Sequence, residues 1–200
     1  MKKAVLFLLL FVFAQNISSQ WSIGGRIGAN WSKMTDMGLS ESRQKLGWNI
    51  AAVGNYSFND WFEMQGEILY SQRGANDNWS VGMNGNAAEA DLRSHYIDIP
   101  VLVQFYPFKK KECFSIQAGI QPGFFLKESV KYKDVTLANF YGDKNAVDFG
   151  LVFGGAYKFK NGLFFDGRYV LGLTDNYKDY DGVMKGRSIQ LSIGYLFRLK

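Results

Sequence analysis

From Trp21 onward the apolar residues recur at every second position, the period of a β-strand whose side chains alternate between two faces. Trp21, Ile23, Gly25, Ile27, Ala29 and Trp31 fall on one face; Ser22, Gly24, Arg26, Gly28, Asn30 and Ser32 fall on the other. The same alternation predicts eight strands: 21–32, 46–58, 61–74, 96–107, 113–127, 147–159, 163–174 and 187–200. Their apolar faces comprise 48 positions, none of them charged and none Ser, Thr, Asn, Gln or His. The phase of each strand is a free binary choice. Yet the chain is 20% charged, so 48 arbitrary positions would hold about ten charges, more than eight such choices remove.

The opposite faces hold the polar side chains. They include Arg26, Glu63, Glu67, Arg73, Asp98, Asp148, Lys158, Asp166, Arg168 and Arg198, with Asn49, Asn55 and Gln65, Gln104, Gln117, Gln121 and Gln190. A charge pointing at the bilayer midplane costs a barrel about 2–4 kcal/mol, so the uncharged face is the one that meets lipid. The ionic face then lines a lumen, where Glu63, Glu67, Asp148 and Asp166 can pair with Arg26, Arg168, Lys158 and Arg198.

Segment length and ends agree with a membrane crossing. About 12 residues at ~3.3 Å each, tilted by ~40°, rise about 30 Å, enough to cross an apolar band of roughly 25 Å. Trp21, Trp31, Trp48, Trp61, Tyr70 and Phe197 sit near segment ends, where interfacial aromatic girdles belong. The connections alternate long and short. The long ones are 33–45, 75–95, 128–146 and 175–186; the short ones are 59–60, 109–112 and 160–162. Short periplasmic turns and longer outer loops produce that rhythm in outer-membrane barrels. Pro100 and Pro122 lie inside segments and each removes a ladder donor, so bulge or rim positions are expected for them.

The first nineteen residues read as a secretory signal peptide: Lys2-Lys3, a ten-residue apolar run from Ala4 to Phe13, then small and polar residues to Ser19. A run of ten is too short to span a bilayer, which takes roughly 20. The expected organisation is therefore 1–19 as signal and 20–200 as one barrel domain. Loss of the leader leaves 21 bases against 18 acids, a balance too mild and dispersed for nucleic-acid binding. Cys113 is the only cysteine, which excludes an internal disulfide and a thiolate zinc cluster.

Catalytic and metal chemistry find little to stand on. His95 is the only histidine and adjoins Ser94, but neighbours on a strand point to opposite faces and cannot readily act as base and nucleophile together. Asp175 to Gly182 is rich in oxygen ligands, yet it lacks the ligand spacing of a calcium loop. Gly24-Gly25-Arg26-Ile27-Gly28 opens no helix, as a phosphate-binding glycine motif must. No cofactor or metal is expected. The loops hold the remaining possibilities: the stretch 76–86 alternates Trp79, Val81 and Met83 before an Asn-Gly turn, and could extend as a hairpin carrying a partner-binding edge.

Tyr96-Ile-Asp-Ile-Pro-Val-Leu-Val-Gln-Phe105 resembles the tyrosine–acid–isoleucine–proline strand of the PorT-like outer-membrane β-barrel domain proteins. The stretches 148–157, 166–174 and 192–197 are similar to that family's late strands. The resemblance spans nearly the whole chain after the leader. It implies an eight-stranded barrel in the outer membrane of a diderm bacterium, with some relatives tied to a protein-secretion apparatus.

The expected fold is all-β: a closed, eight-stranded, antiparallel, up-and-down transmembrane barrel. The expected role is non-enzymatic, structural or interactive, for a monomer embedded in outer-membrane lipid with a protein partner at loops 75–95 and 128–146. Three alternatives stay open: a narrow passive pore, a soluble lipocalin-like carrier and a lipid-modifying enzyme sited at the rim.

Overall fold

The computed structural model describes residues 20–36, 43–79, 88–108, 113–132, 135–137, 145–175 and 184–199. The predicted leader, 1–19, lies outside these. The described residues form ten strands: β1 (Trp21–Asp36), β2 (Arg43–Ser57), β3 (Phe62–Trp79), β4 (Ala88–Asp98), β5 (Val101–Phe105), β6 (Phe114–Tyr132), β7 (Val135–Leu137), β8 (Val147–Lys158), β9 (Leu163–Gly172) and β10 (Met184–Arg198). No helix among them is long and apolar enough to cross a membrane, so strands are the crossing elements.

All pairings are antiparallel, and the sheet closes on itself. Each strand pairs with its predecessor in the wall, and β1 pairs with β10 from Ser22↔Arg198 to Asp36↔Met184. β4 and β5 are two halves of one wall strand, both paired with β3 and β6. β7 is a short addition to the outer end of β6. The wall is therefore an eight-stranded closed antiparallel barrel. Closure matters because an open edge in hydrocarbon leaves backbone groups with nothing to bond. Truncating Leu191–Lys200 removes most of the strand shared by β1 and β9. The expected result is loss of heat-modifiable gel migration, and migration like that of the intact chain would contradict the closure.

Side-chain direction follows the alternation. Ile27, Ile50, Ile68, Val103, Ile120, Phe153, Phe165 and Leu191 are among the outward, exposed apolar residues of the wall. Arg26, Asn49, Glu67, Gln104, Gln117, Arg168 and Gln190 point inward and are buried. Small apolar clusters share the interior: Ala51, Val53, Leu69, Phe164 and Leu196 in one, Leu102, Val152 and Val170 in another. A lipocalin-like carrier requires the reverse distribution, apolar inside and polar outside.

The short turns are built from local chemistry. Asn59 Oδ1 accepts the backbone N–H groups of Trp61 and Phe62 at 2.8 and 2.9 Å, closing the β2–β3 turn. In the β8–β9 turn Asn161 Oδ1 accepts from Leu163 N, and Gly162 adopts a positive φ of 94°, which glycine tolerates without strain.

The outer ends differ from the expected loops. Much of 75–95 and 128–146 is strand rather than loop: β3 runs on to Trp79, β4 begins at Ala88, β6 reaches Tyr132 and β7 adds 135–137. Polar residues on both faces hid these extensions, because above the membrane neither face has to be apolar.

The prolines are not at the rim. Pro100 separates β4 from β5 within the wall, and Pro122 lies inside β6 opposite Phe149. They lie on neighbouring strands. Ile99 N donates to Pro122 O at 2.8 Å and Glu67 N donates to Pro100 O at 3.0 Å, so both carbonyls stay bonded. Because a strand residue's N and O face the same neighbour, Pro100 lacks its donor toward β3 and Pro122 lacks its donor toward the β4–β5 strand.

Candidate functional site

The polar side chains of the lumen meet at three levels. Nearest the short turns, Glu63 Oε2 receives Lys158 Nζ at 2.7 Å and the Tyr106 hydroxyl at 2.8 Å, while Ser57 Oγ donates to Oε1 at 2.7 Å. The Tyr106 oxygen also lies 2.9 Å from Gln104 Oε1, a second acceptor for its single hydroxyl hydrogen.

At mid-barrel, Glu67 stands between two arginines. Arg26 donates to its Oε2 through Nε and Nη2 at 3.1 and 2.9 Å, and Arg168 Nη2 donates to its Oε1 at 2.6 Å. All three side chains are 0% exposed. Arg168 Nε reaches Asp166 Oδ1 at 2.8 Å, and Gln117 Nε2 donates to Asp166 Oδ2 at 2.6 Å. Arg26 Nη1 also binds Asn49 Oδ1 and the Ser192 hydroxyl. The level is charge-balanced, with two arginines against Glu67 and Asp166. In an environment with little water, balance and hydrogen bonding are what make such burial tolerable.

Toward the outer mouth, Arg73 bridges two carboxylates: Nη2 to Asp98 Oδ2 at 2.6 Å and Nη1 to Asp148 Oδ2 at 2.8 Å. Its guanidinium carbon lies 4.8 Å from the centre of the Tyr96 ring. Thr174 Oγ1 donates to Asp148 Oδ1 at 2.6 Å, and Gln121 Nε2 to Asp98 Oδ2 at 3.0 Å.

Of the ten ionic residues placed on the polar faces, all but Arg198 stand in these levels. Arg198 shares the inward phase, but it ends β10 beyond the last buried rung and is exposed at the periplasmic rim. Arg73 completes the outer level. It lay on the polar face in the sequence, but its bridging role depends on Asp98 and Asp148 arriving from two other strands. Tyr106 was missed because alternation marks an inward residue without saying that its hydroxyl reaches a carboxylate.

The aromatics divide between the two rims. Trp21 packs on Tyr56, Trp61 stacks on Phe105 and Phe197 packs on Tyr195 at the periplasmic end. Trp48 packs on Tyr70 at the outer end, with Trp31 half-exposed on the neighbouring strand. Ser94 and His95 face opposite ways. Ser94 is buried and donates to Glu128 at 2.8 Å, while His95 Nδ1 lies 2.7 Å from the Tyr70 hydroxyl on the outer wall. Trp79 ends β3 opposite Ala88; Val81 and Met83 lie outside the described residues. No group of three or more metal-ligating side chains occurs among the described residues.

This arrangement can seal a membrane-spanning wall and hold surface hairpins upright. It offers no wide aqueous path, because the mid-level guanidinium and carboxylate groups fill the axis.

Comparison with known proteins points the same way. A family model described as "Outer membrane protein beta-barrel domain" matches residues 13–178. No curated protein matches the sequence. Among solved structures, the attachment invasion locus protein Ail of Yersinia pestis is similar at 16% identity and a TM-score of 0.52, covering 89% of this chain and 99% of that one. Neisserial surface protein A is similar at 12% identity and a TM-score of 0.59, covering 88% of this chain and 97% of its own. At such identities the likeness concerns the fold.

Proposed function

The chain belongs to the outer membrane protein β-barrel domain family, and from that premise we propose that it is a non-enzymatic barrel whose work is done by its outer hairpins. The carrying observation is the sheet that continues past the apolar belt. The belt ends near Tyr70↔Ile97, whereas β3 and β4 stay paired to Trp79↔Ala88, about 30 Å further along the strand. β6 and β7 extend the same sheet sideways, as Ala90↔Tyr132 and Tyr132↔Val135 record. A sheet that projects past the belt presents a surface above the membrane, and its strand edges suit a partner that adds a strand.

Within the family, the strand Tyr96–Phe105 supports a PorT-like subgroup and hence a place near a secretion or envelope complex in a diderm bacterium. Residues 1–19 serve as the export signal in this reading, and the barrel acts as a monomer. The name of Ail attaches an attachment role to that protein, so a barrel of this fold is compatible with surface recognition.

Replacing 77–89 by a two-residue Asn-Gly turn tests the reading. Heat-modifiable migration should persist, while crosslinks from the outer surface of intact cells to a protein partner should disappear. Crosslinks of unchanged pattern would refute the assignment. Planar-bilayer recordings address the pore alternative, and steady openings of the intact barrel would favour it.

A further inference from the structure

Buried glutamines line the lumen, and their amides are not equally bonded. Gln65, Gln104 and Gln117 knit it from the mid-level cluster toward the short turns. Gln65 donates to Glu67 and accepts from Gln104, and Gln117 accepts from Gln104 and donates to Asp166. Gln104 Oε1 faces the Tyr106 hydroxyl, so every amide atom of the three has a protein partner. Gln121 donates to Asp98 but leaves its Oε1 without one. Gln190 is the extreme case. The residue is 0% exposed, yet neither its Nε2 nor its Oε1 is bonded to protein.

Its two register neighbours show where a partner would stand. Asn30 of β1 lies opposite Gln190 but directs its amide to Asn49, Ser71 and the Gln72 carbonyl. On the other side lies Arg168 of β9, with Nε and Nη2 held by Asp166 and Glu67 and with Nη1 bonded to no protein atom. Opposite residues of a ladder stand about 4.5–5.5 Å apart at the backbone, so the Gln190 amide and Arg168 Nη1 share one region of the lumen. One inward position further out, Ser188 and Val170 face each other and line a cavity of about 30 Å³, together with Arg73, Asp148 and Tyr96. That is room for roughly one or two waters. Asp98 Oδ1, at the outer ion level, also has no protein partner. Below the mid-level cluster the described residues leave a single such atom, Asn55 Oδ1.

We infer that the lumen binds an internal water cluster between its mid and outer ion levels, anchored by the Gln190 amide and Arg168 Nη1. One water accepts from Arg168 Nη1 and donates to Gln190 Oε1; the Gln190 amide N–H groups donate to the next, toward the cavity. Charge selects a neutral ligand. Glu67 and Asp166 already balance Arg26 and Arg168, so an added anion would be buried without a counter-charge. Buried polar groups left wholly unbonded are rare, and ordered water is a common remedy. Hydration is then one-sided: the barrel is wet above its mid-level cluster and held below it almost wholly by protein contacts.

The test uses the full barrel, perdeuterated with protonated amides, in lipid nanodiscs. Nuclear Overhauser transfer from water to the side-chain amides of Gln190 and Gln117 is measured, each signal assigned through its own backbone resonances. Gln190 should show a transfer peak, and Gln117, bonded at both amide atoms, should show none. Equilibrium unfolding supplies a second reading. Gln190→Leu should lower the folded-to-unfolded ratio about tenfold, because Arg168 Nη1 loses the water that ties it to β10. A dry, unbonded amide predicts the opposite, since leucine would relieve the cost of its burial. Absence of transfer to Gln190, equal transfer to both glutamines, or a ratio unchanged or raised in Gln190→Leu overturns the inference. So does a fall in the ratio of the intact protein when gluconate replaces chloride at equal ionic strength, which would mark an anion site. The transfer measurement on the intact protein decides the matter even if Gln190→Leu fails to fold.

Discussion

Glu67→Ala is expected to destabilise the barrel by about 3–5 kcal/mol, the cost of leaving buried charge without its partner. Glu67 receives three hydrogen bonds from Arg26 and Arg168, and the side chains of all three residues are fully buried. Removing the carboxylate leaves two guanidinium groups facing each other, with Asp166 the remaining acid of the level. Glu67→Gln keeps the shape and one acceptor oxygen but loses the charge, so an intermediate loss is expected. Equilibrium urea unfolding in lipid vesicles, followed by tryptophan fluorescence, measures both. A change under 1 kcal/mol for Glu67→Ala would mean that water, and not Glu67, balances the arginines.

One residue further along β1 the same chemistry reverses sign. Ile27→Arg is expected to cost about 2–4 kcal/mol, because Ile27 faces the hydrocarbon near mid-strand. It is 56% exposed and lies between Ile193 of β10 and Ile50 of β2. Arginine is therefore a structural necessity at 26 and a defect at 27. Folding equilibria in vesicles of increasing bilayer thickness check this: the penalty should rise as the midplane moves further from the headgroups. Indifference to Ile27→Arg would remove the physical basis for placing lipid on this face.

The wall was legible because solvation constrains every lipid-facing position independently. A charge-free alternation such as Trp21 to Trp31 needs no knowledge of neighbours to be read, and neither does the rhythm of short and long connections. Pairing inside the lumen was not legible in the same way. Arg26 meets Glu67 and Lys158 meets Glu63 only because of the stagger of strands around the ring, which depends on register at every seam. Arg198 shows the limit of phase alone, since an inward-phase residue past the final rung meets water. The extensions of β3, β4 and β6 escaped for the opposite reason. Beyond the bilayer backbone pairing persists while the two-faced signature that reveals it fades, as in Asn76-Asp77-Asn78. A bulge in β6, where His95 pairs with Lys127 and Tyr96 with Phe125, was equally silent, because Leu126 and Lys127 read as an ordinary apolar–polar step.

The mid-level ion cluster also dictates an order of events during assembly. Arg168 lies 101 residues from Glu67 along the chain, and Arg26 lies 41 residues from it, so neither contact can form from a local hairpin. Arg168 meets Glu67 only once β9 faces β3, whereas Arg26 needs no more than β1 to β3. The hub of this wheel of strands is thus complete only when strands from both ends of the chain have come round to it.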